Sequence, residues 1–205
     1  MIEGKRNILI ICEGQEEWHY IKRLLSFPFY NSDLYSFAEP INAKGNENIY
    51  PRFQIEYNKG KYDLILIFCD GDNNSKQFQN IKKKINDNIF GEAGMAERFI
   101  IFVNPVTLQV VLSHFGEIYL IHKSKKANSH LVEEITGIKG YDAREEEIVE
   151  MVNKIFFRSY AEMKERIRLL SDDVSKVPST NLLFFLEHLE GDNDDWIDEI
   201  NNLRK

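Results

Sequence analysis

Carboxylates stand at the ends of two apolar runs in this chain. Residues 7–12 (NILIIC) lead straight into Glu13-Gly14, then Glu16 and Glu17, and residues 63–69 (DLILIFC) lead into Asp70-Gly71-Asp72. Continuous apolar runs of this kind suit strands covered by helices on both faces. In open parallel sheets ligands gather outside the carboxyl ends of the strands. If the two strands are neighbours, about 4.8 Å apart, Glu13, Asp70 and Asp72 meet at one sheet edge. There they repel and raise one another's pKa. A cation removes that cost, and hard carboxylate oxygens without His or Cys partners favour Mg²⁺ or Mn²⁺ over zinc.

The chemistry expected of such a centre is hydrolysis of a phosphodiester, with Glu13, Asp70 and Asp72 as catalytic residues. The ion neutralises charge building on the phosphate and lowers the pKa of a bound water; Glu13 is either a ligand or the general base. Glu17, one helical turn beyond Glu13, either supports the metal or favours the helix N-terminus electrostatically. Cys12 and Cys69 each precede the acid, so alternation turns them into a sheet face, where they read as small core thiols. Other readings of the acidic motifs fit less well. Loops after strands are often acidic simply because they are wet. A haloacid-dehalogenase phosphatase places its Asp-x-Asp at the first strand, and an EF-hand loop needs Gly at Ser75 and Glu at Ile81. The acidic stretch 191–195 joins two helical patterns and suits a turn and cap.

The order of apolar strand, Glu13-Gly14-x-x-Glu17, helix, and later strand ending in Asp70-x-Asp72 resembles the Toprim domain. That domain is shared by topoisomerases, primases and nucleases of the overcoming-lysogenization-defect class. More narrowly the chain is similar to the small RloB-like proteins of bacterial restriction and phage-defence loci. Asn104-Pro105 after a third apolar run, His114-Phe115 one short helix later, and Pro178-Ser179-Thr180 before a terminal apolar helix match that layout. The chain departs from it at residues 107–110, where the family's Phe-Glu and Trp are replaced by Thr107, Leu108 and Val110, with Gln109 an uncertain substitute for the Glu. The resemblance implies a nuclease acting on RNA or DNA and held in check until infection. It also implies an ATPase sensor in trans, since this sequence has no Gly-x-x-x-x-Gly-Lys-Ser/Thr loop. A homo-oligomer is compatible with it, as is the alternative of a scaffold that has lost activity and serves as a regulatory or interaction module.

The elements that must position these residues follow from periodicity. Trp18, Ile21, Leu24 and Leu25 share one helical face after the first acidic loop. A second strand is expected near residues 37–43 and a helix after Pro51. Ser75 is expected to cap a helix that turns Phe78, Ile81, Ile85 and Ile89 inward. Residues 98–103 read as the next strand, with Pro105 in the first turn of the following helix. Beyond His122 the pattern is helical, with Leu131, Ile135, Ile148, Val152, Ile155, Phe156, Leu169 and Leu170 as core positions. Ser179 or Thr180 caps the helix 182–189, and Asp194 or Asp195 starts one bearing Trp196, Ile200 and Leu203. The expected fold is α/β, a Toprim-like (Rossmann-like), mostly parallel sheet flanked by helices over residues 1–121, with a helical extension over 122–205 packed on it.

Composition bounds the function. A chain of 205 residues with 43% hydrophobic content can bury one good core. The formal charge of −7, from 33 acidic against 26 basic residues, counts against a general electrostatic nucleic-acid binder. Local clusters can still meet a phosphate backbone. They are Lys82 to Lys84; His122, Lys123, Lys125 and Lys126; and Arg158, Lys164, Arg166 and Arg168. Lys123, Lys125 and Lys126 are the best backbone-contact candidates, because they follow the helix expected to border the acidic edge. No apolar segment approaches the ~20 residues of a membrane span. The charged start precedes a strand that is a poor secretory signal, and two cysteines make no disulfide framework, so a cytoplasmic protein is expected.

Overall fold

The computed structural model describes residues 4–91 and 94–202, with the side chains of Phe90 and Lys125 outside the description. The apolar run at the start forms β1 (Arg6–Cys12), followed by α1 (Gln15–Leu25), β2 (Tyr35–Phe37), β3 (Ile41–Asn42) and α2 (Asn46–Lys59). The second acidic run ends β4 (Leu64–Asp70), and α3 (Lys76–Ile85), β5 (Ile100–Asn104) and α4 (Leu108–Ser113) follow. The remainder holds α5 (Lys125–Thr136), α6 (Glu145–Asn153), α7 (Arg158–Arg168), β6 (Ser179–Thr180), α8 (Leu182–Glu190) and α9 (Asp195–Asn202).

The sheet runs β2-β1-β4-β5-β6, with β3 also paired to β1; every pairing is parallel except β5 with β6. This is an α/β architecture with a mostly parallel, curled sheet flanked by helices, consistent with a Rossmann-like fold. Its central strands are apolar on both faces because both are covered: Ile8 to Cys12 and Leu64 to Cys69 are all buried. Each such side chain contributes about 1.5–3 kcal/mol by leaving water. No helix among the described residues is long and apolar enough to cross a membrane.

Several local expectations are corrected. The strand expected over 37–43 is two short strands, because Pro40 has no N–H for the ladder and its carbonyl instead accepts from the Trp18 indole at 2.9 Å. The helix expected after Pro51 begins at Asn46, so Pro51 lies inside it, near its start. Arg98 belongs to a 3-10 turn, and β5 starts at Ile100. Pro105 is not in the first turn of α4, which starts at Leu108 after a cis Asn104–Pro105 bend.

Ser179 and Thr180 do more than cap a helix: they form β6, antiparallel to β5, while Leu182 N–H still donates to Thr180 Oγ1 at 3.2 Å. Phe156 and Leu169, expected in the core, are 54% and 66% exposed. Ser75 caps α3 as expected, its Oγ accepting from Phe78 N–H at 3.1 Å. Asp195 opens α9, whose Trp196 and Ile200 are buried; Leu203 lies outside the described residues.

Buried polar side chains close the sheet's end. Asn104, fully buried, donates from Nδ2 to the carbonyls of Val174 at 3.1 Å and Lys176 at 2.5 Å, and its Oδ1 accepts from Asn73 N–H at 2.7 Å. A Cβ at position 71 would lie 3.0 Å from that of Asn104, so glycine is what lets the two segments approach. Removing the amide strands three backbone groups at about 1–3 kcal/mol for each one left dry. Asn104→Ala is therefore expected to lower urea-unfolding stability by at least about 2 kcal/mol; a loss below about 0.5 kcal/mol would show that water replaces the amide.

Candidate metal centre

β1 lies between β2 and β4, so chain direction across the sheet reverses between β1 and β4, and the crevice at such a point opens at the carboxyl ends of the strands. Both acidic segments leave the sheet there. In the register, Cys12 stands opposite Phe68, and Glu13 N–H extends the ladder to Phe68 O at 3.0 Å. Glu13 Oε2 then accepts from Asp70 N–H at 3.1 Å, which holds its carboxylate over the end of β4. Glu17 folds back so that Oε2 accepts from Gly14 N–H at 2.9 Å, the first-turn role that its position allowed.

Asp70 is an electrostatically perturbed acid at this edge. Burial pushes its carboxyl well above the usual carboxylate range, and the charges of Glu17, Glu13 and Glu16 push it further. Thr107 opposes this, donating to Asp70 Oδ1 from N–H at 2.6 Å and from Oγ1 at 2.9 Å. Glu16 is buried and accepts from the Tyr141 hydroxyl at 3.1 Å, so the loop before α6 closes over this edge.

Asp72 is held differently. Asp72, Asn73 and Asn74 all take left-handed φ values, 53°, 58° and 58°, which Asp and Asn tolerate better than other side chains. Asp72 N–H donates to Pro105 O at 3.1 Å, and its carboxylate faces Lys123, Oδ1 to Nζ 3.7 Å. Among the described residues, no group of three or more His, Cys, Asp or Glu side chains is arranged to hold a metal ion. The structure thus brings Glu13, Glu16, Glu17 and Asp70 into one electrostatic group, with Asp72 reaching toward the basic segment beside it.

The donor types suit a hard divalent cation, since they are carboxylate oxygens with one acid already destabilised as an anion. Softer donors are engaged elsewhere. Cys12 and Cys69 are free, buried thiols pushed upward by burial. His114 is pushed down to about 3 by burial and then by Arg166, so it is neutral. Its Nδ1 meets Ser159 Oγ at 2.9 Å and its Nε2 the Tyr20 hydroxyl at 3.2 Å. Ser159 Oγ already donates to Phe156 O, which makes Nδ1 the protonated nitrogen.

The basic clusters divide clearly. Lys82 pairs with Glu97 and Lys83 with Asp87; Lys164, Arg166 and Arg168 pair with Glu190, Glu162 and Glu187. These cations are charge-balanced by neighbouring acids. Lys123 reaches the acidic edge, Lys126 is exposed beside it, and the Lys125 side chain lies outside the description. A cavity of about 730 Å³ lined by Phe102, Phe184, His188 and Trp196 shares no residue with the acidic edge.

Tyr141 carries a part of this site that the motif reading did not name, and Thr107, noted there only as a departure at residues 107–110, binds Asp70. Gln109 had a usable signal: an amide in the apolar run 106–112 has to find partners once buried. It does so on both sides, Nε2 donating to Ile118 O and Oε1 accepting from Leu120 N–H, both at 2.7 Å. Comparison with models of protein families, with curated proteins and with solved structures finds no match for this chain.

The Asp70 carboxyl gives a signed pH effect. In the unfolded chain it ionises near pH 4; in the folded chain it ionises only at higher pH, so folding loses stability as pH rises from there through the folded value. Asp70→Asn keeps an oxygen for both Thr107 bonds and removes the charge. In chelator, its melting temperature at pH 7 is expected to exceed that of the wild type by a few degrees, roughly what 1 kcal/mol gives. The gap should close toward pH 4. A lower melting temperature at pH 7 would mean that Asp70 is stabilising as an anion.

Proposed function

We propose that this chain is a metal-dependent nuclease that cleaves phosphodiester bonds in RNA or DNA, with Mg²⁺ or Mn²⁺ as cofactor, and acts in the cytoplasm as an effector of phage defence. The observation that carries the reading is the Asp70 carboxyl, raised by burial and by the Glu17, Glu13 and Glu16 carboxylates at the reversal point of a parallel sheet. Such perturbed acids concentrate where chemistry is done. The resemblance of Glu13-Gly14-x-x-Glu17 and Asp70-x-Asp72 to Toprim motifs supplies the substrate class.

In this reading Glu13, Asp70 and Asp72 hold the cation, with Glu17 behind them. The bound ion supplies charge neutralisation at the phosphate and a more acidic water. The chain's own residues set the stage. Thr107 fixes one Asp70 oxygen, Asp70 N–H fixes one Glu13 oxygen, and Gly14 N–H fixes one Glu17 oxygen. Lys123 offers a positive charge to the substrate backbone next to Asp72. Switching by nucleotide comes from an ATPase partner in trans, and the resemblance to RloB-like proteins implies the defence setting.

A second reading, an inactive scaffold with a regulatory role, has its own support in the stretch at 107–110, and among the described residues no three ligands converge. Thermal shift separates the two: a functional centre melts later in Mg²⁺ or Mn²⁺ than in chelator, by an increment that Asp70→Ala abolishes. The decisive assay incubates labelled DNA and RNA pools with and without Mn²⁺. Metal-dependent cleavage is expected, falling about 100-fold or more in Asp70→Ala and in Glu13→Ala, the scale of a lost acid or base. Full activity in either variant would sink the assignment.

A further inference from the structure

Between α4 and α5 the chain runs through residues 117–124 without helix or ladder. It is nevertheless ordered from beneath. Ile118 and Leu120 are buried, Tyr119 and Ile121 are 51% and 63% exposed, and this two-residue alternation is that of an extended chain. The Gln109 amide bonds Ile118 O and Leu120 N–H, two groups on one edge of an extended segment, as a neighbouring strand would. Ser124 ends the strap by capping α5, its Oγ accepting from Ala127 N–H at 3.4 Å. The outward row is Tyr119, Ile121 and Lys123, with exposed His122 and Lys126 alongside. Lys123 brings the row to the acidic edge at Asp72.

We propose that this strap is the substrate-binding edge of the molecule and that it takes a single, unpaired strand of nucleic acid. The proposal rests on the nuclease reading above and narrows its substrate class. An exposed aromatic ring and an aliphatic neighbour in line with the exposed cations Lys123 and Lys126 match the two faces of such a strand, its bases and its phosphates. Tyr119 is suited to stacking because its hydroxyl is tied to Glu117 at 2.7 Å and no other aromatic ring among the described residues lies against it. A ring can stack only on a base whose face is not already covered by its neighbours in a helix, which favours an unpaired strand. The overall charge of −7 confines backbone attraction to local rows such as this one.

The test uses the full chain in chelator, so that binding is read without turnover, and labelled single-stranded RNA and DNA oligonucleotides beside duplexes of the same sequence. Fluorescence anisotropy is expected to show tighter binding of the single strands. Tyr119→Ala should weaken it by about fivefold to a hundredfold, the range for one lost base stack, with Tyr119→Phe restoring it and the melting curves unchanged. Lys123→Ala should weaken all sequences alike and lower the salt slope by about one. Equal binding of duplex, or an unchanged affinity in Tyr119→Ala, overturns the proposal. So does a self-associated species that Ile121→Ser dissociates while oligonucleotide affinity is unchanged. Failure here is separable from failure of the nuclease reading. Cleavage that depends on Mn²⁺ and Asp70, with Tyr119→Ala binding normally, overturns the strap alone. Single-strand binding lost in Tyr119→Ala, with no cleavage by the wild type, overturns the nuclease alone.

Discussion

The parallel pairing of β1 with β4 is the constraint on which the rest depends. It sets Cys12 against Phe68, carries Glu13 one step past the ladder onto Phe68 O, and so leaves the Glu13 carboxylate within reach of Asp70 N–H. The register of these two strands sets the height at which the two acidic segments leave the sheet. Carboxylates separated by more than fifty positions in the chain meet because β1 and β4 are neighbours paired in this register.

Around that pairing, buried polar groups do what apolar packing cannot. Thr107 binds Asp70, Asn104 ties the turn at Asn73 to the 174–176 segment, and Gln109 holds the strap at Ile118 and Leu120. All three follow or end β5, in the short stretch where the chain crosses the end of the sheet. Asn104 and Gln109 satisfy backbone groups in a place without ladder partners, and Thr107 satisfies a buried carboxylate, where an unmade hydrogen bond is costly. The stretch 107–110, which departs most from the Toprim-like pattern, is thus structurally committed: Thr107 faces the acid and Gln109 faces the strap.

Much of the fold was legible. Continuous apolar runs marked β1 and β4, Ser75 announced α3, and a reading of mostly parallel α/β followed from the alternation of strand and helix. What misled was local ambiguity. Pro40 split one expected strand into two, and Ser179-Thr180, good capping residues by type, also pair with the free edge of β5. Phe156 and Leu169 fit a helical stripe yet stand in solvent, because periodicity reports which residues share a face and not whether anything covers it.

The sequence alone determined which segments are buried strands and which residue types follow them, since those depend on composition and short-range periodicity. It also bounded the chemistry, because hard acids without His or Cys partners narrow the cations such an edge could hold. Only the tertiary structure decided the company each acid keeps. Glu16 joined the group through burial under Tyr141, Glu17 turned back on Gly14, and Asp72 swung toward Lys123 on a left-handed turn. Those outcomes depend on side-chain directions and on segments distant in sequence, and the energies that choose among them are a few hydrogen bonds and charges summed in three dimensions, which no local pattern encodes.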